Sequence, residues 1–134
     1  MEYVYPAIIT PLGSNGFDAS IPDLPYCRTC GKDLPEALFM AKDAVEMWLW
    51  DAENNSEPIP QASSVADTAK LCETAESFVS LIAADTDDYR RKHDTRAVKK
   101  TLTIPRWLNH QAEQANAPFS QILQQGLKEY LRID

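Results

Sequence analysis

Apolar and polar residues alternate over residues 98–104 and then give way at once to two stretches of helical spacing. In Val98-Lys99-Lys100-Thr101-Leu102-Thr103-Ile104, the residues Val98, Leu102 and Ile104 share one face of a strand, and Lys99, Thr101 and Thr103 the other. Lys100 is the exception on the apolar side. Pro105 closes the strand and opens a helix in which Leu108, Ala112 and Ala115 recur at helical spacing. Phe119, Ile122, Leu123, Leu127, Tyr130 and Leu131 do the same in a second helix. A lone strand has no ladder partner, and roughly 40 residues is the lower limit for an unassisted core. The missing partner is therefore expected to be a second copy, with Leu102, Ile104, Ile122, Leu123 and Leu127 forming the core of the dimer.

The front of the chain carries a different pattern. Residues 3–10 are β-branched and aromatic, Gly13-Ser14-Asn15-Gly16 is a turn cluster, and residues 17–21 return as a strand, so a hairpin is predicted. A third short strand follows Pro22-Asp23-Leu24-Pro25, around residues 27–30. A long helix then begins with Asp33 as N-cap and Pro35 and Glu36 in its first turn; Leu38, Ala41, Val45, Trp48, Leu49 and Ala52 form its apolar stripe. Phe39, Met47 and Trp50 lie off the centre of that stripe. With Asp43 and Glu46 they mark a candidate partner-binding face, the competing explanation being that later segments of the same chain cover it. Residues 54–64 read as a loop, residues 77–83 as a strand and residues 87–94 as a short charged helix. The expected fold class is α+β: antiparallel strands and a long helix over residues 1–94, then a strand–helix–helix unit over residues 95–134 that dimerises.

Charge divides along the same line. The formal net charge is -7, but residues 1–88 hold four Lys/Arg against sixteen Asp/Glu, and residues 89–134 hold nine against four. An acidic bulk repels nucleic acid and attracts a basic protein, whereas a basic tail suits phosphate. Three cysteines fit a reducing cytoplasm better than a disulfide framework, and the start of the chain lacks the basic flank and apolar run of a secretory signal. A cytoplasmic protein is expected, with no membrane partner.

Two strands paired across a two-fold axis make an antiparallel ribbon that fits the major groove. Threonine there can hydrogen-bond or touch a thymine methyl, and lysine can approach guanine acceptors. Lys99, Thr101 and Thr103 are thus the candidate base readers, while backbone amides at Phe119 and Ser120, with Arg106, are the candidate phosphate contacts. The unit resembles ribbon-helix-helix DNA-binding domains, through Ile104-Pro105-x-Trp107-Leu108 and Phe119-Ser120-x-Ile122-Leu123. It departs from them at Pro118, where a polar helix cap is expected, and at Gly126, where alanine is common.

The front half also resembles a known family. Met1-Glu2-Tyr3-x-Tyr5-Pro6-Ala7, Ile21-Pro22-Asp23-Leu24-Pro25-x-Cys27-x-Thr29-x-Gly31, Glu36-Ala37 and Pro58-Ile59-Pro60 are similar to the blocks of HicB antitoxins, in the same order. Tyr26 departs from the pattern, standing where glycine is usual. The resemblance implies a partial RNase-H-like N-terminal domain that binds and blocks HicA, a small basic mRNA-cleaving toxin. It also implies autorepression by binding operator DNA, as a homodimer or a dimer of dimers.

Catalytic and metal chemistry find weaker footing. Cys27-Arg28-Thr29-Cys30 has the look of half a zinc knuckle, but a structural zinc site needs four ligands and no second pair exists; Cys72, His93 and His110 are scattered. Asp18, Asp23, Glu36 and Asp85 could be imagined as a nuclease's metal ligands, yet an acidic surface supplies such candidates by chance. Neither an enzyme nor a cofactor or metal site is expected. The alternative function is a stand-alone ribbon-helix-helix repressor whose front domain senses a ligand or another protein.

Overall fold

The computed structural model describes residues 1–134 and divides into two compact units, Met1–Arg96 and Ala97–Asp134. The boundary lies two residues beyond the one expected.

The first unit is built on a four-stranded antiparallel sheet. Its strands are β1 (Glu2–Pro11), β2 (Phe17–Ser20), β3 (Arg28–Gly31) and β4 (Phe78–Asp85), in the order β3-β2-β1-β4. A 3-10 turn at Gly13–Asn15 joins the predicted hairpin, whose register sets Ile9 opposite Ala19. Along β1, Tyr5, Ala7 and Ile9 turn inward to meet Ala19, Ile21, Ile82 and Ala84 from the other strands and loops. Period-two alternation thus delivers one apolar sheet face.

Helix α1 (Leu34–Asn54) packs on that face. The Asp33 side chain accepts from Glu36 N at 2.9 Å, and the Glu36 carboxylate in return accepts from Lys32 N at 3.2 Å, so the start is fixed reciprocally as in a capping box. Ala37, Ala41, Val45, Leu49 and Ala52 are buried; Leu38 and Trp48 pack at the margin. Burying a Val or Leu side chain contributes about 1.5–3 kcal/mol, so this stripe is the main attachment of helix to sheet. Small residues bring the backbones close. A Cβ on Gly31 would stand 2.3 Å from Ala37 N, and Gly16, at φ 90°, has Gly31 O 2.2 Å from where its Cβ would lie.

Loop residues 55–64 hold to the core through Ile59 and through the Tyr5 hydroxyl, which donates to Pro60 O. Beyond them lies a helix that the sequence pattern did not announce, α2 (Val65–Ala69), capped by Ser64 Oγ accepting from Asp67 N. It contacts β1 and β4, and the turn after it lies beside Ile8 on the sheet's other face. The charged helix α3 (Thr86–His93) follows β4 and packs on α1.

The second unit has helices α4 (Arg106–Gln114) and α5 (Phe119–Leu131), preceded by residues 97–105 without regular structure. No residue in it is buried. Val98, Trp107 and Tyr130 are 87%, 63% and 85% exposed, a state no isolated folded core shows. The predicted strand has no ladder partner within the chain, and a strand is defined by its ladder.

Candidate functional site

On α1, the five residues singled out for partner binding separate into two groups. Phe39 and Met47 are exposed, at 70% and 51%, and Asp43 lies half-buried between them in sequence. Glu46 is a correction. It is buried, and its Oε2 accepts from Asp85 N at 2.8 Å, tying α1 to the end of β4. The helical pattern placed it beside the outer face, but the neighbouring strand end takes its carboxylate. Two turns later, the Glu53 carboxylate accepts from Thr86 Oγ1 at 2.5 Å, a second, part-buried link that the sequence did not reveal.

Trp50 is half-buried against Tyr89 of α3, ring centroids 5.4 Å apart, so here a later segment of the chain does cover the helix. Its Nε1 is nonetheless buried without an acceptor. Burial pushes the Tyr89 phenol up, and the nearby Asp43 and Glu46 carboxylates add to the shift.

Beside Met47 and Trp50 opens a groove of about 420 Å³, lined also by Tyr26, Ala44, Trp48 and Asp51. The loop that carries Tyr26 is tightly tied. Leu24 N donates to Ile21 O, Cys27 N to Leu24 O and Ile21 N to Cys27 O, while Trp48 Nε1 donates to Pro25 O at 3.1 Å. Within it Tyr26 adopts φ 61°, a left-handed conformation that costs a residue with a Cβ about 1–2 kcal/mol. Sequence reasoning noted the residue but could not see its backbone.

In the second unit an apolar groove of about 590 Å³ runs between the helices, lined by Leu102, Ile104, Leu108, Ala112, Phe119, Ile122 and Leu123. Four of the five expected dimer-core residues are thus together around one opening. Leu127, the fifth, lines a neighbouring groove with Leu123, Ser120, Lys99 and Thr101. Thr103 and Arg106 are exposed. Pro118 occupies the N-cap of α5 and provides no side-chain cap; the first bond of that helix runs from Ile122 N to Pro118 O. The backbone N–H groups of Phe119, Ser120 and Gln121 consequently point out of the helix end without an intrahelical partner.

Charge is distributed differently from the simple halves. Arg90, Arg91, Lys92 and Arg96 belong to the first unit, where Arg90 pairs with Asp87 at 3.1 Å, Lys92 with Asp88 at 2.9 Å and Arg96 with Asp94 at 2.9 Å. The second unit holds five Lys/Arg against three Asp/Glu, a mild excess.

The cysteine pair is split by the pleat. Cys27 is buried in the core, which pushes its thiol up to about 11, while Cys30 is exposed on β3. The carboxylates also have separate local partners. Asp18 pairs with Arg28, Asp23 accepts from Ser63 N and Oγ, Glu36 caps α1 and Asp85 caps α3.

The family model of the HicB-like antitoxin of bacterial toxin-antitoxin systems matches residues 5–125. A protein of Haemophilus phage HP1, described as an uncharacterized 14.9 kDa protein in the rep-hol intergenic region, is 26% identical over 111 residues, covering 83% of this chain and 80% of the relative. Among solved structures, a toxin-antitoxin complex from Streptococcus pneumoniae matches with TM-score 0.58 and 24% identity over 97% of this chain and 99% of that one. The antitoxin HicB of Burkholderia pseudomallei matches with TM-score 0.55 and 17% identity, over 96% of each chain. The structural likenesses concern the fold. The chain belongs to the HicB-like antitoxin family, and it is an antitoxin rather than an enzyme. No helix is long and apolar enough to cross a membrane.

Proposed function

We propose that this antitoxin neutralises a HicA-type mRNA-cleaving toxin through its first unit and represses its own operon through its second. The observation that carries the reading is the contrast between an acidic unit with a closed core and a unit with no buried residue, inside a chain matched along residues 5–125 by an antitoxin family. Residues 1–96 hold seventeen Asp/Glu against eight Lys/Arg, which favours a basic partner. The antiparallel sheet with one long helix on its face is compatible with a non-catalytic RNase-H-like scaffold. Phe39, Asp43, Met47 and Trp50 remain the proposed toxin-facing residues of α1.

For the second unit, the unpaired segment at 97–105 and the open groove support a ribbon-helix-helix homodimer, alone or as a dimer of dimers, in the cytoplasm. Leu102, Ile104, Ile122, Leu123 and Leu127 would close its core. Lys99, Thr101 and Thr103 would read bases, and the free amides at Phe119 and Ser120, with Arg106, would hold phosphates. Co-purification with the protein of the neighbouring open reading frame, followed by a ribonuclease assay, tests the first function; continued RNA cleavage at saturating antitoxin refutes it. Gel-shift titration tests the second. Replacing Thr101 with alanine should weaken operator binding by about 1–3 kcal/mol and leave random DNA nearly unaffected. Equal loss on both would refute base reading by Thr101.

A further inference from the structure

We propose that the free edge of β4 pairs with the same strand of a second copy, joining two first units into one continuous antiparallel sheet. The inference deepens the dimer-of-dimers reading above by naming the second contact. Strand β4 stands last in the order β3-β2-β1-β4, so only one of its sides meets β1. Thr86 N donates to Met1 O at 3.0 Å, and bonded pairs alternate along an antiparallel ladder. Phe78, Ser80, Ile82 and Ala84 therefore direct their backbone groups to β1. Pro6, which has no N–H, stands opposite Leu81 at a pair that makes no bond between the two strands, and the ladder stays whole.

Val79, Leu81, Ala83 and Asp85 turn their N–H and C=O groups the other way, to the open edge. Asp85 N is taken by Glu46 Oε2 at 2.8 Å, and at the other end Ser77 N donates to Thr74 O and Oγ1. Between these closed ends, the N–H and C=O of Val79, Leu81 and Ala83 have no partner in the chain. Helix α3 leaves β4 at Thr86 and packs on α1 rather than across this edge. An unpaired edge is normally blunted by a charge, a proline or a bulge. The opposite edge, β3, is four residues long and carries exposed Arg28. Residues 78–84 hold neither charge nor proline, and Leu81 is 58% exposed on the sheet face away from the core.

Symmetry selects the occupant. A two-fold axis at Leu81 sets this residue opposite itself and Val79 opposite Ala83 of the other copy, so every free group on both chains finds a partner, with two bonds per pair. The two Leu81 side chains then lie next to each other on the outer face. Two acidic units can approach here because the strand between Phe78 and Ala84 is neutral. Three residues of edge make a small contact. It gains strength when two dimers of the second unit meet, since the second such contact between them is intramolecular.

The test is sedimentation equilibrium of the full chain as wild type, Leu81→Lys, Ala83→Lys and Leu81→Val. Wild type should reach four copies, and Leu81→Lys, which sets like charges opposite each other, should weaken the step from two copies to four by about tenfold or more. Its melting temperature should stay near wild type because the side chain is exposed. Ala83→Lys, also at an exposed position, should act in the same way, and Leu81→Val should assemble nearly as wild type. Lysine variants with the mass of wild type would overturn the edge contact while leaving the dimer of the second unit intact. A wild type of two copies that Leu81→Lys takes to one would keep the edge contact and remove that other dimer. Unchanged self-association with lost binding of the protein from the neighbouring open reading frame would seat a strand of that protein on the edge, and would equally overturn the proposal.

Discussion

The two units of this antitoxin solve the burial problem in opposite ways. Met1–Arg96 closes Ile9, Val45, Leu49 and Ile82 between a sheet and one long helix, all buried within one chain. Ala97–Asp134 has helices of comparable regularity, yet its apolar residues line open grooves. The difference is one of completeness rather than of hydrophobicity. A unit of this size holds too little apolar surface to close on itself, so in the proposed dimer its stability would be tied to association and hence to concentration. The first unit needs a partner only for function.

That contrast breaks most directly at Gly31. Alanine there sets a methyl carbon 2.3 Å from Ala37 N, with the α1 backbone unable to retreat without leaving the sheet. Gly31→Ala should cost the first unit more than about 4 kcal/mol, a large part of a small domain's total, and chemical denaturation should show it. The helices of the second unit should be indifferent. A nearly unchanged unfolding midpoint would mean that α1 docks less rigidly than its packing implies.

The second unit should break at Leu123, which lines both of its grooves. Leu123→Asp would place a carboxylate in the proposed dimer core and should weaken association by more than about 3 kcal/mol, over a hundredfold. Sedimentation should show monomers, with the first unit's melting unmoved. Persistent dimers would locate the association elsewhere on the chain.

A smaller effect is expected at Glu46. Removing its carboxylate leaves Asp85 N buried without its partner, so Glu46→Ala should destabilise the first unit by about 1–3 kcal/mol. Toxin affinity per folded molecule should not change. If affinity falls while stability holds, Glu46 belongs to the toxin surface after all.

Glu46 also shows where the sequence stopped being informative. Hydrophobic spacing and Asp33 located α1 almost to the residue, and the turn cluster at residues 13–16 located the hairpin, because these signals are local. The side of α1 that Glu46 occupies depends on where the end of β4 arrives, and that is set by a strand more than thirty residues away. Helix α2 was missed since five residues carry too little periodicity to rise above a loop. In the tail, the alternation at residues 98–104 was plain, but a ladder requires a second strand, and none within the chain pairs with it. Net charge misled in a similar way: counting residues 89–96 with the tail exaggerated its basicity, since most of those cations are paired within the first unit.

The finest test of the comparison is Gly126→Ala. Within the chain a methyl group there meets nothing within 4 Å, and exchanging glycine for alanine in a helix interior is worth about 1 kcal/mol of helix propensity. Considered alone, α5 should gain helicity. Yet Gly126 lies on the face shared by Ile122, Leu123 and Leu127, where the proposed partner helix would cross, and added volume at a close crossing costs about 1–3 kcal/mol. The second term should win narrowly. Dimer affinity should fall by about 1 kcal/mol, measured by sedimentation equilibrium, even as the monomer becomes more helical by circular dichroism. Tighter association in the alanine variant would show that the two α5 helices do not meet at Gly126, and would move the dimer contact toward the groove of Leu102, Ile104 and Phe119.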